Sequence, residues 1–196
     1  MRKLVLIAML AATPAAAFQP TPDWPCIQPI QPHLSLGQVW TGPVPNDAVM
    51  ALAQIPEITA LAARITQRRM TIEDAETEIA AFAQGRDPAA LTALMQASLM
   101  MIDSHRAKLI EGISRYGHGQ VALAARVEQR REKMAALEAA ATPDFDAIDA
   151  EEKALDMDRR VFADRQQSLT YVCETPVILE QRLFALGRAI ASHLPN

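Results

Sequence analysis

Cysteine, glycine and aromatic residues are scarce in this chain. Its 196 residues include two cysteines, seven glycines and 5% aromatic residues. So few glycines leave little material for glycine-rich phosphate loops, and no Cys-x-x-Cys pair is present for thiol–disulfide catalysis. Long runs of the strand formers Val, Ile, Thr and Tyr are also missing, whereas the helix formers alanine and leucine are abundant. The composition therefore predicts an all-α protein.

Positive charge is in deficit as well. The chain has 19 Lys and Arg residues against 23 Asp and Glu residues, a net charge of −4. Affinity for nucleic acid comes mainly from basic groups that neutralise phosphates. We therefore expect no nucleic-acid partner.

The first 17 residues have the pattern of a secretory signal peptide. Arg2 and Lys3 precede an apolar run over residues 4–12, and Ala15–Ala17 follow. A basic start, a short apolar core and small residues before the cleavage point are typical of such signals. We expect cleavage after Ala17 and a periplasmic or secreted product without a later membrane span. The alternative, an uncleaved anchor, is disfavoured because a spanning helix needs about 20 apolar residues.

The two cysteines, Cys26 and Cys173, are predicted to form a disulfide. Export brings a chain into an oxidising compartment, where an even number of cysteines indicates paired thiols. The alternatives are a pair of thiols that bind a metal or carry out redox chemistry. Because the loop closed by this bond would include most of the chain, the chain-entropy model gives about 5 kcal/mol of stabilisation.

Residues 18–45 form a proline-rich unit. Prolines disfavour both helix and paired strand, so we predict an extended arm without helix. The arm also contains both tryptophans of the chain, Trp24 and Trp40. We expect it to pack across a helical body and to bury these two side chains; the alternative is that they serve as anchors for a partner protein. The prolines are Pro20, Pro22, Pro25, Pro29, Pro32, Pro43 and Pro45.

Residues 46–196 have the periodicity of a helical bundle. We predict five or six helices, two of them long, joined by short breaks that favour an antiparallel arrangement. One helix starts at Pro56, with Arg68 and Arg69 in its last turn. A long helix starts after Asp87 and either kinks, breaks or continues at Gly117–Gly119. A second long helix follows Pro143, and Thr175-Pro176 is expected to cap or kink the chain before a final helix.

One stripe of the first long helix contains potential metal ligands. Apolar residues alternate in steps of four and three from Leu91, a heptad-like pattern that places His105 on the apolar face. Met100, Met101 and His105 together resemble a site for a soft metal such as Cu(I). The simpler interpretation is that methionine fills the core and that His105 packs there too. We expect no cofactor. The stripe comprises Leu91, Met95, Ser98, Ile102, His105, Leu109, Gly112 and Tyr116.

Charged residues further along are predicted to face solvent. Arg126–Lys133 mixes both signs at spacings of three and four, which indicates an exposed helix face with pairs inside one helix. A second, dispersed set of charges is compatible either with a buried polar network or with exposed ion pairs. This set comprises His105, Asp158, Arg165, Glu174, Glu180 and Arg182.

Two stretches near the ends of the chain carry a family resemblance. Residues 23–43 read DWPCIQPIQPHLSLGQVWTGP and residues 171–184 read YVCETPVILEQRLF. Together they resemble uncharacterised exported bacterial proteins with a DWPC arm, a VWxGP segment and a CExPxxLEQR stretch. That resemblance implies that the two cysteines belong together, and it implies no activity.

A looser similarity exists to small exported helical chaperones of the Spy and CpxP type. These proteins have charged helices that contain methionine, as in residues 128–134. Their Leu-Thr-x-x-Gln motif has an imperfect counterpart here, because Gln96 follows Leu91-Thr92 one position later than the motif requires.

Two functions are compatible with these observations. No Gly-x-Ser-x-Gly segment, phosphate loop or paired carboxylates with a clear partner indicates catalysis. The leading hypothesis is a non-enzymatic periplasmic protein that contacts another envelope protein as an accessory, scaffold or chaperone-like factor. The alternative is a bundle that binds a metal ion or a small ligand, with Met101 and His105 as the first residues to consider.

Overall fold

The computed structural model describes residues 21–195, which form six helices and, within that range, no strand. The prediction of an all-helical protein with two long helices is confirmed. The predicted signal peptide lies outside the described residues. The helices are α1 (Leu36–Val39), α2 (Asp47–Leu52), α3 (Pro56–Ile65), α4 (Ile72–Ala83), α5 (Pro88–Glu138) and α6 (Phe145–Ala191).

Most helices begin where the sequence supplies a capping side chain. The side chains of Asn46, Thr71, Asp87 and Asp144 each accept a hydrogen bond from the backbone N–H three residues later. Such a cap stabilises a helix by about 1 kcal/mol, because it satisfies an N–H that has no partner inside the helix. The helix starts were therefore predictable from local sequence.

The two long helices lie side by side along most of their length. At 1.5 Å per residue, α5 and α6 are about 75 Å and 70 Å long. As residue numbers rise along α5, the numbers of the residues that they contact on α6 fall. Met95 lies against Gly187, Arg106 donates a hydrogen bond to the carbonyl of Pro176, and Arg126 donates one to Asp158.

Both long helices continue through the positions where a break was considered. Residues 117–119 lie inside α5, and no separate final helix begins at Pro176, which is buried within α6. Gly117 has another role: a Cβ atom there would lie 2.2 Å from the carbonyl oxygen of Pro22. Gly187 is similar, since its Cβ would lie 2.2 Å from the carbonyl oxygen of Val39. These glycines let the N-terminal segment approach the helix backbones closely.

We predicted that the N-terminal segment contains no helix, but residues 21–45 do contain one. The one-turn helix α1 forms between Pro32 and Pro43, in a stretch without proline. Elsewhere the segment is irregular and contacts both long helices. Asp103 of α5 accepts a hydrogen bond from the backbone N–H of Leu34 at 2.7 Å, and its carboxylate is 2.9 Å from His33 Nδ1.

The main apolar core lies at one end of the long helices. It joins α1–α4 to residues 91–109 of α5 and 179–191 of α6. We call α1–α4 with residues 88–109 and 176–191 the proximal region. A small second cluster surrounds the disulfide and includes Ile110, Ile113 and Leu169. Beyond it, residues 120–162, which we call the distal region, belong to neither cluster.

Within residues 21–195, no helix combines the length and hydrophobicity that a membrane span requires.

Candidate functional site

A disulfide joins the N-terminal segment to α6. Cys26 and Cys173 are bonded, with their Cα atoms 5.5 Å apart, which confirms the predicted pairing. Both sulfurs are buried, in the small cluster formed with Trp24, Ile110 and Ile113. The bond therefore fixes the segment where it crosses the middle of the long helices.

Both tryptophans are buried within the chain. Trp24 is 6% exposed and donates its indole N–H to the carbonyl of Gln28, while Trp40 is 7% exposed and donates to the carbonyl of Pro43. Buried indole groups with satisfied N–H donors are typical of structural residues. Little of either side chain is left for a partner protein to contact.

The predicted apolar stripe of α5 is wrong beyond Ile102. His105 is exposed, and the next residue, Arg106, is 3% exposed instead. The buried positions of α5 recur at close to 3.6 residues a turn, whereas strict alternation of four and three assumes 3.5. Two consecutive steps of four residues, from Ile102 to Arg106 and on to Ile110, move the buried face one residue ahead of the predicted stripe. The buried positions that follow are Arg106, Ile110, Ile113, Gly117, Gln120, Leu123 and Val127.

Met100 and Met101, which we considered with His105 as potential metal ligands, have different surroundings. Met100 is 41% exposed, and its Sδ lies 3.6 Å from Nε2 of Gln54 on the side of α2. Met101 and His105 do line one groove together. Within residues 21–195, no three His, Cys, Asp or Glu side chains are grouped to hold a metal ion.

The groove that contains Met101 and His105 has a volume of about 650 Å³ and lies between α5 and the α3–α4 connection. Arg68, Arg69 and Lys108 also line it. We predicted Arg68 and Arg69 in the last turn of a helix, but α3 ends at Ile65 and both follow it in the connecting segment. We call this the basic groove, because no acidic residue lines it.

A buried arginine fixes the segment beside the basic groove. Arg182 of α6 donates from Nε and Nη2 to the carbonyl oxygen of Ile65, at 2.9 and 2.5 Å, and from Nη1 to that of Met70, at 2.8 Å. Burial lowers the pKa of its guanidinium. These bonds bracket residues 66–69 and satisfy carbonyls that the end of α3 leaves without partners.

A second buried arginine, Arg106, links three parts of the chain. Its Nε donates to the carbonyl of Pro176 at 3.1 Å, and its Nη1 to that of Gln31 at 3.3 Å. Burial lowers its pKa, and the nearby carboxylates of Glu180 and Asp103 act in the opposite direction. The sequence signal for Arg106 was its position on the buried face of the helix. We had assigned that position to His105.

The distal region is joined by ion pairs between its two helices. Asp158 of α6, 8% exposed, accepts from Arg126 and Arg130 of α5 at 2.6–2.8 Å. Glu151, 4% exposed, accepts from Arg130 at 2.9 Å and from Lys133 at 2.7 Å. For Arg126–Lys133 we predicted ion pairs inside one helix. The Arg131–Glu128 pair is of this kind, but the four shorter ion pairs of this stretch join α5 to α6.

These ion pairs shift the ionisation of their members. Hydrogen bonds from Lys133 and Arg130 lower the pKa of Glu151, and those from Arg126 and Arg130 lower that of Asp158. The same bonds, first to Asp158 and then to Glu151, raise the pKa of Arg130. In all three residues the shift favours the charged form. The linked set comprises Arg126, Arg130, Lys133, Glu151 and Asp158. We call it the ion ladder.

Comparisons of the chain with protein-family models, with curated proteins and with solved structures gave no match.

Proposed function

We propose that this chain is an exported helical protein without catalytic activity that acts through contacts with another envelope protein. Its role would be that of an accessory, scaffold or chaperone-like factor. The observation that carries the proposal is the distal region, in which α5 and α6 extend past the apolar core. From Gln120 to Glu138 this extension is about 27 Å long. An extension of this length beyond the apolar core does not contribute to packing within that core.

The surface of the distal region supports a role in contact. Leu123 and Val127 are buried between the helices, whereas Val121 is 54% exposed, Met157 59% and Phe145 74%. Non-obligate interfaces are about as apolar as the rest of a protein surface, so a mixture of exposed apolar and charged side chains is compatible with one. Methionine adapts its shape to different partners, which suits a chaperone-like role.

The proposal includes an arrangement in which an antiparallel helix bundle carries an extended arm. The descending order of contacts from Met95–Gly187 to Arg126–Asp158 supports the first part. The close approach of Pro22 to Gly117 supports the second.

Export to the periplasm is part of the same proposal. The leader pattern of residues 1–17 supports it. The Cys26–Cys173 disulfide also supports it, because such bonds persist in oxidising compartments and are rare in the cytosol.

Position-specific photo-crosslinking in intact cell envelopes tests the contact surface. A photoreactive residue is placed at Val121 or at Met157, and the matched control is Phe184, an exposed apolar side chain of the proximal region (45%). We expect the same adduct from both distal positions and none from Phe184. An adduct from the control alone, or no reproducible adduct, would refute the proposal.

The alternative function, binding of a metal ion or small ligand, is favoured by one observation. Met101 and His105 line the same groove. For a metal cation the three neighbouring basic side chains are unfavourable, since like charges repel at short range. An intact native mass of protein purified from periplasm would reveal a bound metal or ligand; an unmodified mass would remove this alternative.

A further inference from the structure

The basic groove concentrates positive charge in a chain that is acidic overall. The net charge is −4, yet Arg68, Arg69, Lys108 and His105 converge on one depression. Within residues 21–195, none of these four forms a salt bridge, whereas ten other Arg, Lys or His side chains do. Because Arg68, Arg69 and Lys108 carry positive charges that no carboxylate neutralises within the described residues, the groove attracts anions.

The acidic residues near the basic groove do not line it. Arg69 also borders a neighbouring groove that contains Asp74 and Glu78, and Glu78 is already paired with Arg64 at 2.8 Å. Asp103, two residues from His105, is engaged by His33 and Leu34 of the N-terminal segment. Glu78 and Asp103 are therefore engaged with partners outside the basic groove.

The backbone beside the basic groove is held in place. Arg182 fastens both ends of residues 66–69 through the carbonyls of Ile65 and Met70. The C-terminal end of a helix carries a partial negative charge that repels anions. The guanidinium of Arg182 counters that charge at the end of α3, so the repulsion is reduced where Arg68 and Arg69 follow.

The remaining walls combine apolar and polar atoms. Met101 and the buried Leu179 form the apolar part of the lining, and the Ser104 hydroxyl is a hydrogen-bonding group; both ends of the Gln67 amide already bond Ala63 and Arg69. The volume of about 650 Å³ is within the roughly 300–1,000 Å³ of small-molecule sites. A short groove with one cluster of cations suits a small molecule better than a nucleic acid strand, which needs a longer basic track.

We infer that the basic groove binds a small organic anion, with its phosphate or carboxylate group on Arg68, Arg69 and Lys108 and an apolar part against Met101 and Leu179. Guanidinium groups suit such planar or tetrahedral anions because they donate two parallel hydrogen bonds. This inference goes beyond the proposed protein contact, since it concerns the proximal region and requires no partner protein.

Titration of the purified, disulfide-bonded protein by ¹⁵N-edited NMR tests the inference. The probes are inorganic phosphate, phenyl phosphate and, as an uncharged control, phenol. We expect saturable shifts of the amides of residues 66–69 and 104–108 with both anions, tighter binding of phenyl phosphate, and no saturable shift with phenol. Shifts without saturation, or shifts spread over all exposed basic residues, would overturn the site.

Charge-matched variants complete the test. The double substitution Arg68→Gln with Lys108→Gln removes two exposed cations from the groove, and Lys153→Gln with Arg159→Gln removes two exposed cations from the distal region. We expect the first to raise the Kd for phenyl phosphate about tenfold or more, as charge-assisted hydrogen bonds are lost. The second leaves the Kd unchanged; equal Kd values in the two variants would contradict the inference.

Discussion

The proximal and distal regions are built from the same two helices but are held together by different forces. In the proximal region Leu183, Leu186 and Ile190 of α6 are fully buried. In the distal region the corresponding inward positions of α6 are occupied by Glu151 and Asp158. The first region depends on burial of apolar surface, which is non-directional and insensitive to pH. The second depends on charge pairs, which fail when one member is neutralised.

This difference implies that stability is unevenly distributed along the helices. Pairs between partly exposed charges contribute little compared with burial of a leucine. Arg126, for example, remains 54% exposed in its bond to Asp158. The distal region is therefore expected to open locally at a lower free energy than the proximal core. That property agrees with a surface that adapts to a partner.

Loss of the disulfide has the largest expected effect. Replacing both Cys26 and Cys173 with serine frees the N-terminal segment from α6, and we expect a loss of about 2–5 kcal/mol in the free energy of unfolding. Urea unfolding followed by tryptophan fluorescence measures it, because Trp24 lies in the same cluster. The control is the unmodified protein under reducing conditions, which should unfold at the same urea concentration as the variant. If the oxidised protein and the variant had equal free energies of unfolding, the disulfide would not stabilise the fold.

Truncation of a core leucine should separate the two regions. Leu183→Ala, at 0% exposure, is expected to cost about 2–5 kcal/mol because it leaves a cavity. Leu137→Ala, near the end of α5 and only half-buried, should cost much less. Urea midpoints of the two variants give the comparison; equal losses would mean that the distal helices are as tightly packed as the core.

Two glycines of α5 should respond in opposite directions to the same substitution. Gly117→Ala places a methyl group against the carbonyl of Pro22, and we expect it to destabilise the protein by about 1–3 kcal/mol. Gly112→Ala meets only Arg115, at 3.8 Å, and should gain up to about 1 kcal/mol of helix propensity. Thermal unfolding measures both. Stabilisation by Gly117→Ala would show that Pro22 does not lie against the helix.

Acidification should loosen the distal region before the proximal region, the smallest of these effects. The pKa values of Glu151 and Asp158 are lowered in the folded protein. Their contribution is therefore complete above the pKa of the unfolded chain and is lost as the pH falls through the folded pKa, below about pH 4. Amide NMR spectra between pH 7 and pH 3 would follow each region. Simultaneous loss of both sets of signals would contradict this order.

Local sequence features predicted much of the fold, and long-range contacts were missed. Pro56 and Asp87 identified two helix starts, and the cysteine count predicted the disulfide. The glycine at 117 was interpreted by its low helix propensity, although its role depends on Pro22, far away in sequence. Pro176 was interpreted as a break, but it lies within a helix that tertiary packing supports.

The candidate sites show the same limit. Arg106 and His105 are adjacent, and one step of four residues in place of three after Ile102 decides which of them is buried. Glu151 and Asp158 pair with residues of the other long helix, which lie far away in the sequence. Arg68 and Arg69 join Lys108 only through the packing of α3 on α5. No local pattern contains that information.

Hydrogen exchange of an ion-ladder variant tests the central claim most directly. The variant Glu151→Gln with Asp158→Asn removes both acceptors of the ladder, and Glu152→Gln with Asp156→Asn is an exposed control with the same change of charge. At pH 7 we predict faster amide exchange over residues 120–162 in the first variant alone, with unchanged protection of residues 91–102 and 179–190. Unchanged exchange in the distal region, or an equal loss of protection throughout both helices, would contradict the division of the molecule into two differently stabilised regions.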